Sequence, residues 1–393
     1  MDHSATTPVS LHALEAMTPY FREEFGNPSA IYSYGQTGKN VLEHCRQRLA
    51  KCIGALQTEI FFTSGGTESD NWAIRGACRA RQDRGKHLIT SAIEHNAVLR
   101  TMEDMESQGF EVTRLIPDRF GRITPEQLEA AIRPDTILIS IMTANNVVGT
   151  ILDIKSLAAA AARHRIWFHT DAVQAVGHIP LKVRELGVDF LSLSAHKFGG
   201  PKGMGALYCR LPNRLPPMLT GGGQEKGLRS GTENIPGIVG MTAALEESVS
   251  RLEEDTAYLT SLRDRIIEGA KRIPGVFLTG DPVNRLPGFC SFVVENIPHS
   301  AMLVNALNEK GLCVSSGSAC SAASREASHV LTAMGYDSAH ASSTLRVTLG
   351  TENTPQQADY LLEALDEAVT RLRREKLIKP EFSRDFPDAD PDD

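Results

Sequence analysis

The sequence predicts an α/β protein: a seven-stranded, mainly parallel sheet in a large domain, with a smaller α+β domain after it. Between residues 58 and 210, seven short β-rich runs alternate with helical patterns. Strands that alternate with helices pair in parallel and are covered on both faces. Residues 241–268 hold neither Gly nor Pro, and their Leu245, Val249, Leu252, Leu259, Leu262 and Ile266 follow helical spacing. Such a long helix, ending near Gly269 to Pro274, can carry the chain into a second domain.

In chain order, the strands are expected at Ile60–Thr63, Leu88–Ser91, Val112–Ile116, Thr136–Met142, Ile166–Thr170, Phe190–Ser194 and Ala206–Cys209. Helices are expected between the earlier strands, near 67–82, 96–107, 125–133 and 155–164. Little chain separates the last two strands, which predicts an antiparallel pair at the edge of the sheet. Beyond the long helix, strand patterns at 290–294 and 344–349 mix with helical patterns near 300–309 and 355–374. The Pro- and Asp-rich stretch 379–393 is expected to be a disordered acidic tail.

Composition narrows the function. The chain of 393 residues is 41% hydrophobic and 23% charged, ordinary for a globular enzyme. Lys plus Arg total 41 against 48 for Asp plus Glu. Six acidic and two basic side chains lie in 379–393, so the body is nearly balanced. That argues against a broad nucleic-acid or anionic-membrane surface. No stretch approaches the roughly 18 apolar residues of a membrane span, and Met1-Asp2-His3-Ser4 shows no secretory signal. The seven cysteines (45, 52, 78, 209, 290, 313 and 320) form no C-x-x-C pair. Reduced thiols in a cytoplasmic enzyme are expected, with neither a disulfide framework nor a metal site.

Three strand ends carry chemistry. Thr63-Ser64-Gly65-Gly66-Thr67-Glu68 joins a strand to a helix start through glycines, where free N–H groups can hold a phosphate. Taken alone it reads first as an ordinary capped turn. The strand at 166–170 delivers Asp171, with Gln174 nearby, to the carboxyl edge where parallel sheets bind ligands. Phe190–Ser194 leads into Ala195-His196-Lys197 and a glycine-rich loop, a setting in which desolvation makes an amine available for Schiff-base chemistry. A phosphate loop, an acid and a lysine at neighbouring strand ends are the parts that hold pyridoxal 5′-phosphate. His95 is placed to stack on its ring and move protons, or else to cap a helix.

Two further features lie in the second half. Cys320 stands among small polar residues in Ser315–Ser324, as an exposed, accessible thiol would. Cys313, between Leu312 and Val314, reads instead as a buried packing residue. Arg346 alternates with Leu345, Val347 and Leu349, which places it on a polar face. There it can fork onto a substrate carboxylate, or pair with a structural acid.

At these residues the chain closely resembles the cysteine desulfurases of the NifS/IscS type, within the fold type I pyridoxal-phosphate enzymes. The likeness runs from Asp2-His3-Ser4-Ala5-Thr6-Thr7-Pro8 to about residue 374. It includes Glu94-His95, Asn145-Asn146, Asp171-Ala172-Val173-Gln174, Ser194-Ala195-His196-Lys197, Gly221-Gly222-Gly223-Gln224-Glu225, Arg229-Ser230-Gly231-Thr232 and Ser315–Cys320. The resemblance implies that Lys197 is the Schiff-base lysine and Cys320 the nucleophile taking sulfur from L-cysteine. Gly66, Thr67, Ser194 and His196 would hold the phosphate, and Thr232 would reach the phosphate in a partner subunit of a homodimer with shared sites. Asp171 would face the ring nitrogen, Gln174 the ring oxygen and His95 the ring itself. Asn146 and Arg346 would take the substrate carboxylate.

The resemblance also implies a large domain over 13–255 and a discontinuous small domain over 1–12 and 256–378. The products would be alanine and a persulfide on Cys320, with sulfur passing to an acceptor protein such as an iron–sulfur scaffold. A selenocysteine lyase on the same scaffold is the alternative reading. Val147 stands where the family often has an acidic residue, next to the carboxylate site.

Overall fold

The computed structural model describes residues 1–211, 213–317 and 327–378, with side chains up to 375. Cys320 and the acidic tail 379–393 therefore lie outside the described residues. The larger sheet contains β1 (Ile60–Thr63), β2 (His87–Ser91), β3 (Glu111–Leu115), β4 (Thr136–Ser140), β5 (Trp167–Asp171), β6 (Phe190–Ser194) and β7 (Gly205–Cys209). Their order is β1-β7-β6-β5-β4-β2-β3. From β3 to β6 the pairing is parallel, while β7 runs antiparallel to both β6 and β1.

The short connection after β6 turns the chain straight back, so the expected antiparallel pair exists. It is not an edge pair, however: β7 is inserted between β6 and β1. Every residue of β7 is buried, and an apolar strand of that kind gains most from neighbours on both sides. The fit at its start is close, since a Cβ on Gly205 would lie 2.7 Å from the Cα of Gly65.

The long helix is two helices, Ile235–Ser250 and Leu252–Ala270. They meet at Arg251, whose φ of −103° and ψ of 4° leave the helical region. Neither Gly nor Pro marks this break, because its cause is tertiary. Ile238, Met241, Ala244 and Leu245 pack into the core under the large sheet. Leu259, Leu262 and Ile266 pack into a second core.

That second core lies on a three-stranded antiparallel sheet of β8 (Val276–Leu278), β9 (Phe289–Val294) and β10 (Thr344–Thr348), ordered β10-β9-β8. The three-residue β8 is too short for the periodicity to reveal. The chain start runs alongside β10: Asp2 forms a parallel bridge with Thr348, and the Thr348 N–H donates to the Met1 carbonyl at 2.9 Å. Cys313 corrects the sequence reading, since it is exposed while Leu312 and Val314 are buried. In extended chain two inward neighbours turn the residue between them outward.

A buried ion pair ties the glycine-rich loop 221–231 to the large sheet. Arg46 donates both terminal nitrogens to Glu225 at 2.7 Å each, and a third bond reaches the Ile60 carbonyl at 3.0 Å. Glu225 also accepts the Phe62 N–H at 3.0 Å. The pair holds two consecutive left-handed residues, Glu225 (φ 47°) and Lys226 (φ 60°). Arg46→Ala would leave Glu225 buried without its cation, a loss of about 3–5 kcal/mol. Urea unfolding is expected to show that loss. The double variant Arg46→Met/Glu225→Gln, which buries no lone charge, is expected to lose less.

Candidate active site

The carboxyl ends of β5 and β6 bring the expected groups together. Asp171 ends β5, is buried, and accepts the Val173 N–H at 2.9 Å. Ser194 ends β6, and Ala195–Lys197 continue as a single tight helical turn. The Lys197 ammonium donates to the carbonyls of Ser4 and, at 3.0 Å, Ala5. Gln174 donates from Nε2 to the same Ser4 carbonyl at 3.1 Å. Thr7 donates its N–H and hydroxyl to the His196 carbonyl at 2.9 and 3.0 Å, and the His196 ring nitrogen Nδ1 lies 3.2 Å from Thr6 Oγ1. Burial and the neighbouring lysines push His196 down to about 4, so its ring is neutral near pH 7.

Beside these groups the helix Gly66–Arg81 begins without a side-chain cap, leaving its first N–H groups available to an anion. A Cβ on Gly66 would lie 2.6 Å from Val173 Cγ2 and 3.6 Å from Ser194 Cβ. The glycine turn therefore lies directly against the strand ends that carry Asp171 and Lys197. Thr67 is exposed at the turn. Glu68 in the first turn faces away, accepting the Ser64 N–H at 3.0 Å and pairing with Arg229 at 2.8 Å. Thr232, three residues beyond Arg229, is exposed.

This donor set fits pyridoxal 5′-phosphate. It offers uncapped amides and the Ser194 hydroxyl for a phosphate, a strand-end acid for a ring nitrogen, and a lysine between them. His95 takes the helix-capping place that one of its sequence readings gave it. Its Nδ1 accepts the Ala97 N–H at 3.1 Å and caps the helix Asn96–Ser107, which puts the ring proton on Nε2. The ring is also close enough to act electrostatically on Asp171. Burial raises the Asp171 carboxyl above its ordinary range, while His95 and Lys197 pull it back.

Two acids that sequence reasoning did not single out lie behind Asp171. Asp70 is buried, with Oδ1 unbonded and 3.5 Å from His169 Nε2. Glu94 accepts from the Ser91 hydroxyl and, at 3.0 Å, from the Met142 N–H, but its Oε2 has no partner. Burial first and the charge of Asp171 second raise the Asp70 carboxyl. Burial pushes Glu94 up to about 8. His169 is pushed down to about 3 by burial, and its neutral ring bridges Ser140 at 2.8 Å and Ser192 at 3.0 Å. Only the placement of Glu94 beside His95 in the chain could have signalled any of this.

Arg346 does not lie on an open polar face. Both faces of β10 are covered and Arg346 is 2% exposed, because the chain start and the 145–148 turn close over it. Its Nη1 donates to the carbonyls of Asn146 at 2.7 Å and Gly317 at 3.2 Å. Its Nη2 pairs with Asp2 at 3.0 Å, the structural acid that the sequence left as an alternative. Arg346 Nε and Asn146 Oδ1 are buried without a partner. Val147 is buried and borders Gly317: a Cβ there would lie 3.2 Å from Val147 Cγ1.

Both flanks of the stretch that contains Cys320 are fixed at this site. Gly317 is held on Arg346, and His329 reaches from Nε2 to the Glu94 carbonyl at 3.1 Å. Among the described residues, no cluster of three or more His, Cys, Asp or Glu could hold a metal ion.

Glu94 gives stability a pH dependence. Its carboxyl titrates near 8 when folded and near 4.3 in unfolded chain, so between those values the folded state binds more proton. Its contribution is full below about 4.3 and falls as pH rises toward 8, by up to about 1.4 kcal/mol per pH unit. Glu94→Gln is expected to flatten that decline, so that its urea midpoint gains on wild type from pH 5 to pH 8.

The family model for aminotransferase class-V matches residues 1–361. The cysteine desulfurase IscS of Methanosarcina thermophila is 50% identical over 384 residues, covering 98% of this chain and 95% of that protein. Its counterpart in Dictyoglomus turgidum is 47% identical, covering 97% of each. Among solved structures, a NifS-like protein superposes with a TM-score of 0.88 at 37% identity, covering 94% of this chain and 98% of that one. SspA in complex with cysteine gives 0.80 at 38% identity, covering 88% and 97%. With the sheet order, the strand-end lysine and acid, and the glycine turn, these likenesses place the chain in the class-V aminotransferase family, among the cysteine desulfurases of the IscS/NifS type.

Proposed function

We propose that Lys197, Cys320 and His95 carry out the removal of sulfur from L-cysteine, yielding L-alanine and a persulfide on Cys320. The chain is an enzyme of the cysteine desulfurase class and uses pyridoxal 5′-phosphate. The observation that carries the assignment of roles is the anchoring of both flanks of the Cys320 stretch, one on Arg346 and the other on the carbonyl before His95.

Gly66, Thr67, Ser194 and His196 would hold the phosphate, with Asp171 toward the ring nitrogen, Gln174 toward the ring oxygen and His95 against the ring. When bound, the cofactor supplies an electron sink for the carbon chemistry of the substrate. Arg346 and Asn146 orient the substrate through its carboxylate, using the unpartnered Nε and the Asn146 side chain. Lys197, released from its carbonyl partners as a neutral amine, moves the α-proton, with His95 Nε2 as the second proton carrier. The Cys320 thiolate forms a bond to the substrate sulfur as the carbon–sulfur bond breaks. The persulfide is then passed to an acceptor protein, such as an iron–sulfur scaffold.

The same reading makes the enzyme a homodimer in which Thr232 completes the partner's phosphate site. Phe21, Phe25, Ile31, Tyr32 and Tyr34 are exposed within one short stretch, an apolar surface suited to a second copy. No described helix is long and apolar enough to cross a membrane, and we place the enzyme in the cytoplasm. The cores under the two sheets support a large domain over 13–255 and a small domain built on 256–378, to which we assign 1–12 because Met1 packs against its core.

Two tests follow from these roles. Wild-type protein with cofactor is expected to show a visible absorption band and to release alanine from L-cysteine. Lys197→Ala should lose the band, and both it and Cys320→Ser should lose turnover by about 10²-fold or more. A yellow protein that forms no alanine would sink the assigned roles. For the dimer, Phe25→Asp/Ile31→Asp is expected to give monomers by light scattering and to release cofactor faster on dialysis.

A further inference from the structure

We propose that Asp2 is a specificity-determining residue: its carboxylate is the resident counter-ion of Arg346, and the substrate carboxylate must displace it. The proposal rests on the reading of Arg346 as the carboxylate site and adds to it the group that competes there. A guanidinium 2% exposed needs an anion nearby, because an unpaired buried charge is costly. Asp2 provides one through a single bond of 3.0 Å to Nη2. This leaves Arg346 Nε as a buried donor with no acceptor, so the guanidinium is only partly used by its resident partner.

Arg346 does not need Asp2 to stay in place. Its Nη1 is fixed by the carbonyls of Asn146 and Gly317, and its backbone pairs in both directions with Ser315, at 3.0 and 2.7 Å. The two partners differ in mobility. Arg346 sits within β10, whereas Asp2 keeps its side chain 26% exposed. An incoming carboxylate can therefore take over Nη2 together with Nε as a two-bond fork, while Asp2 turns to solvent. A ligand without a carboxylate cannot make this exchange, and the Asp2–Arg346 pair then stays closed.

The test uses the complete enzyme with cofactor and reads equilibrium binding of L-alanine, with L-alaninamide as the probe lacking a carboxylate. Asp2→Asn keeps the side-chain shape and removes the competing charge. It is expected to bind L-alanine about three- to fivefold more tightly, the scale of a partly exposed ion pair, with alaninamide unchanged. Asp2→Glu, which restores the charge, is expected to return affinity to within about twofold of wild type. Equal or weaker L-alanine binding by Asp2→Asn in a protein with wild-type melting behaviour would overturn the proposal. So would equal tightening toward both probes. Arg346→Gln separates the underlying reading: if it still prefers L-alanine over alaninamide as wild type does, Arg346 is not the carboxylate site and both fall. If that preference is lost while Asp2→Asn gains nothing, only the role of Asp2 falls.

Discussion

One segment, residues 2–7, which turns at His3–Ala5 with the Ala5 N–H donating to the Asp2 carbonyl at 3.1 Å, joins the two sheets across the site. On one side His3 and Ser4 bond to Thr348 through the backbone and the Thr348 hydroxyl. On the other, the Ser4 and Ala5 carbonyls receive Lys197 and Gln174, and Thr7 bonds to the carbonyl of His196. Ser10 continues the line to the Gly199 carbonyl at 2.8 Å. The lysine at the end of β6 and the strand β10 that carries Arg346 are therefore joined by one segment. A backbone carbonyl can neither rotate away nor titrate, so the segment sets the lysine's position more rigidly than a side chain would.

The second constraint is charge. Asp70, Glu94 and Asp171 are all buried and feel one another's charge, and carboxylates coupled in this way cannot all ionise in a dry interior. Asp171 has His95, the Val173 N–H and the Lys197 ammonium acting on it, all of which favour its ionised form. Asp70 and Glu94 have burial against them and the charge of Asp171 beside them. The unbonded oxygens Asp70 Oδ1 and Glu94 Oε2 suit neutral acids better than anions, because a buried carboxylate demands donors on both oxygens. The negative charge is thereby concentrated on the one acid at the strand end.

Much of this was legible in the sequence because it is local. Strand positions came within a residue or two where apolar runs were bounded by glycines or helices, as for β1 and β6. The chemistry at their carboxyl ends followed from which residue stood there. Tertiary choices were not legible. The break at Arg251 arises because two cores pull successive faces apart, and the central place of β7 depends on its packing against Gly65. Asp2 meeting Arg346 links residues 344 positions apart, and no periodicity encodes such a meeting. The exposed Cys313 was misread from its neighbours' hydrophobicity, when alternation along extended chain was the stronger rule.

The sequence separation across the residue 2–7 segment also bears on how the molecule forms. Lys197 and Ser4 are 193 residues apart, and Asp2 and Arg346 span 344. Closing so long a loop costs only slightly more entropy than closing a moderate one, about 0.6 kcal/mol per doubling, but contacts of such high order form slowly. The helices and parallel strands between residues 60 and 209 can consolidate without the segment. During that interval the acid and the glycine turn exist, yet Lys197 lacks its carbonyl partners on Ser4 and Ala5. Completion of the site therefore waits on the chain start meeting both Lys197 and Arg346, and a chain that stops before residue 346 would lack the arginine.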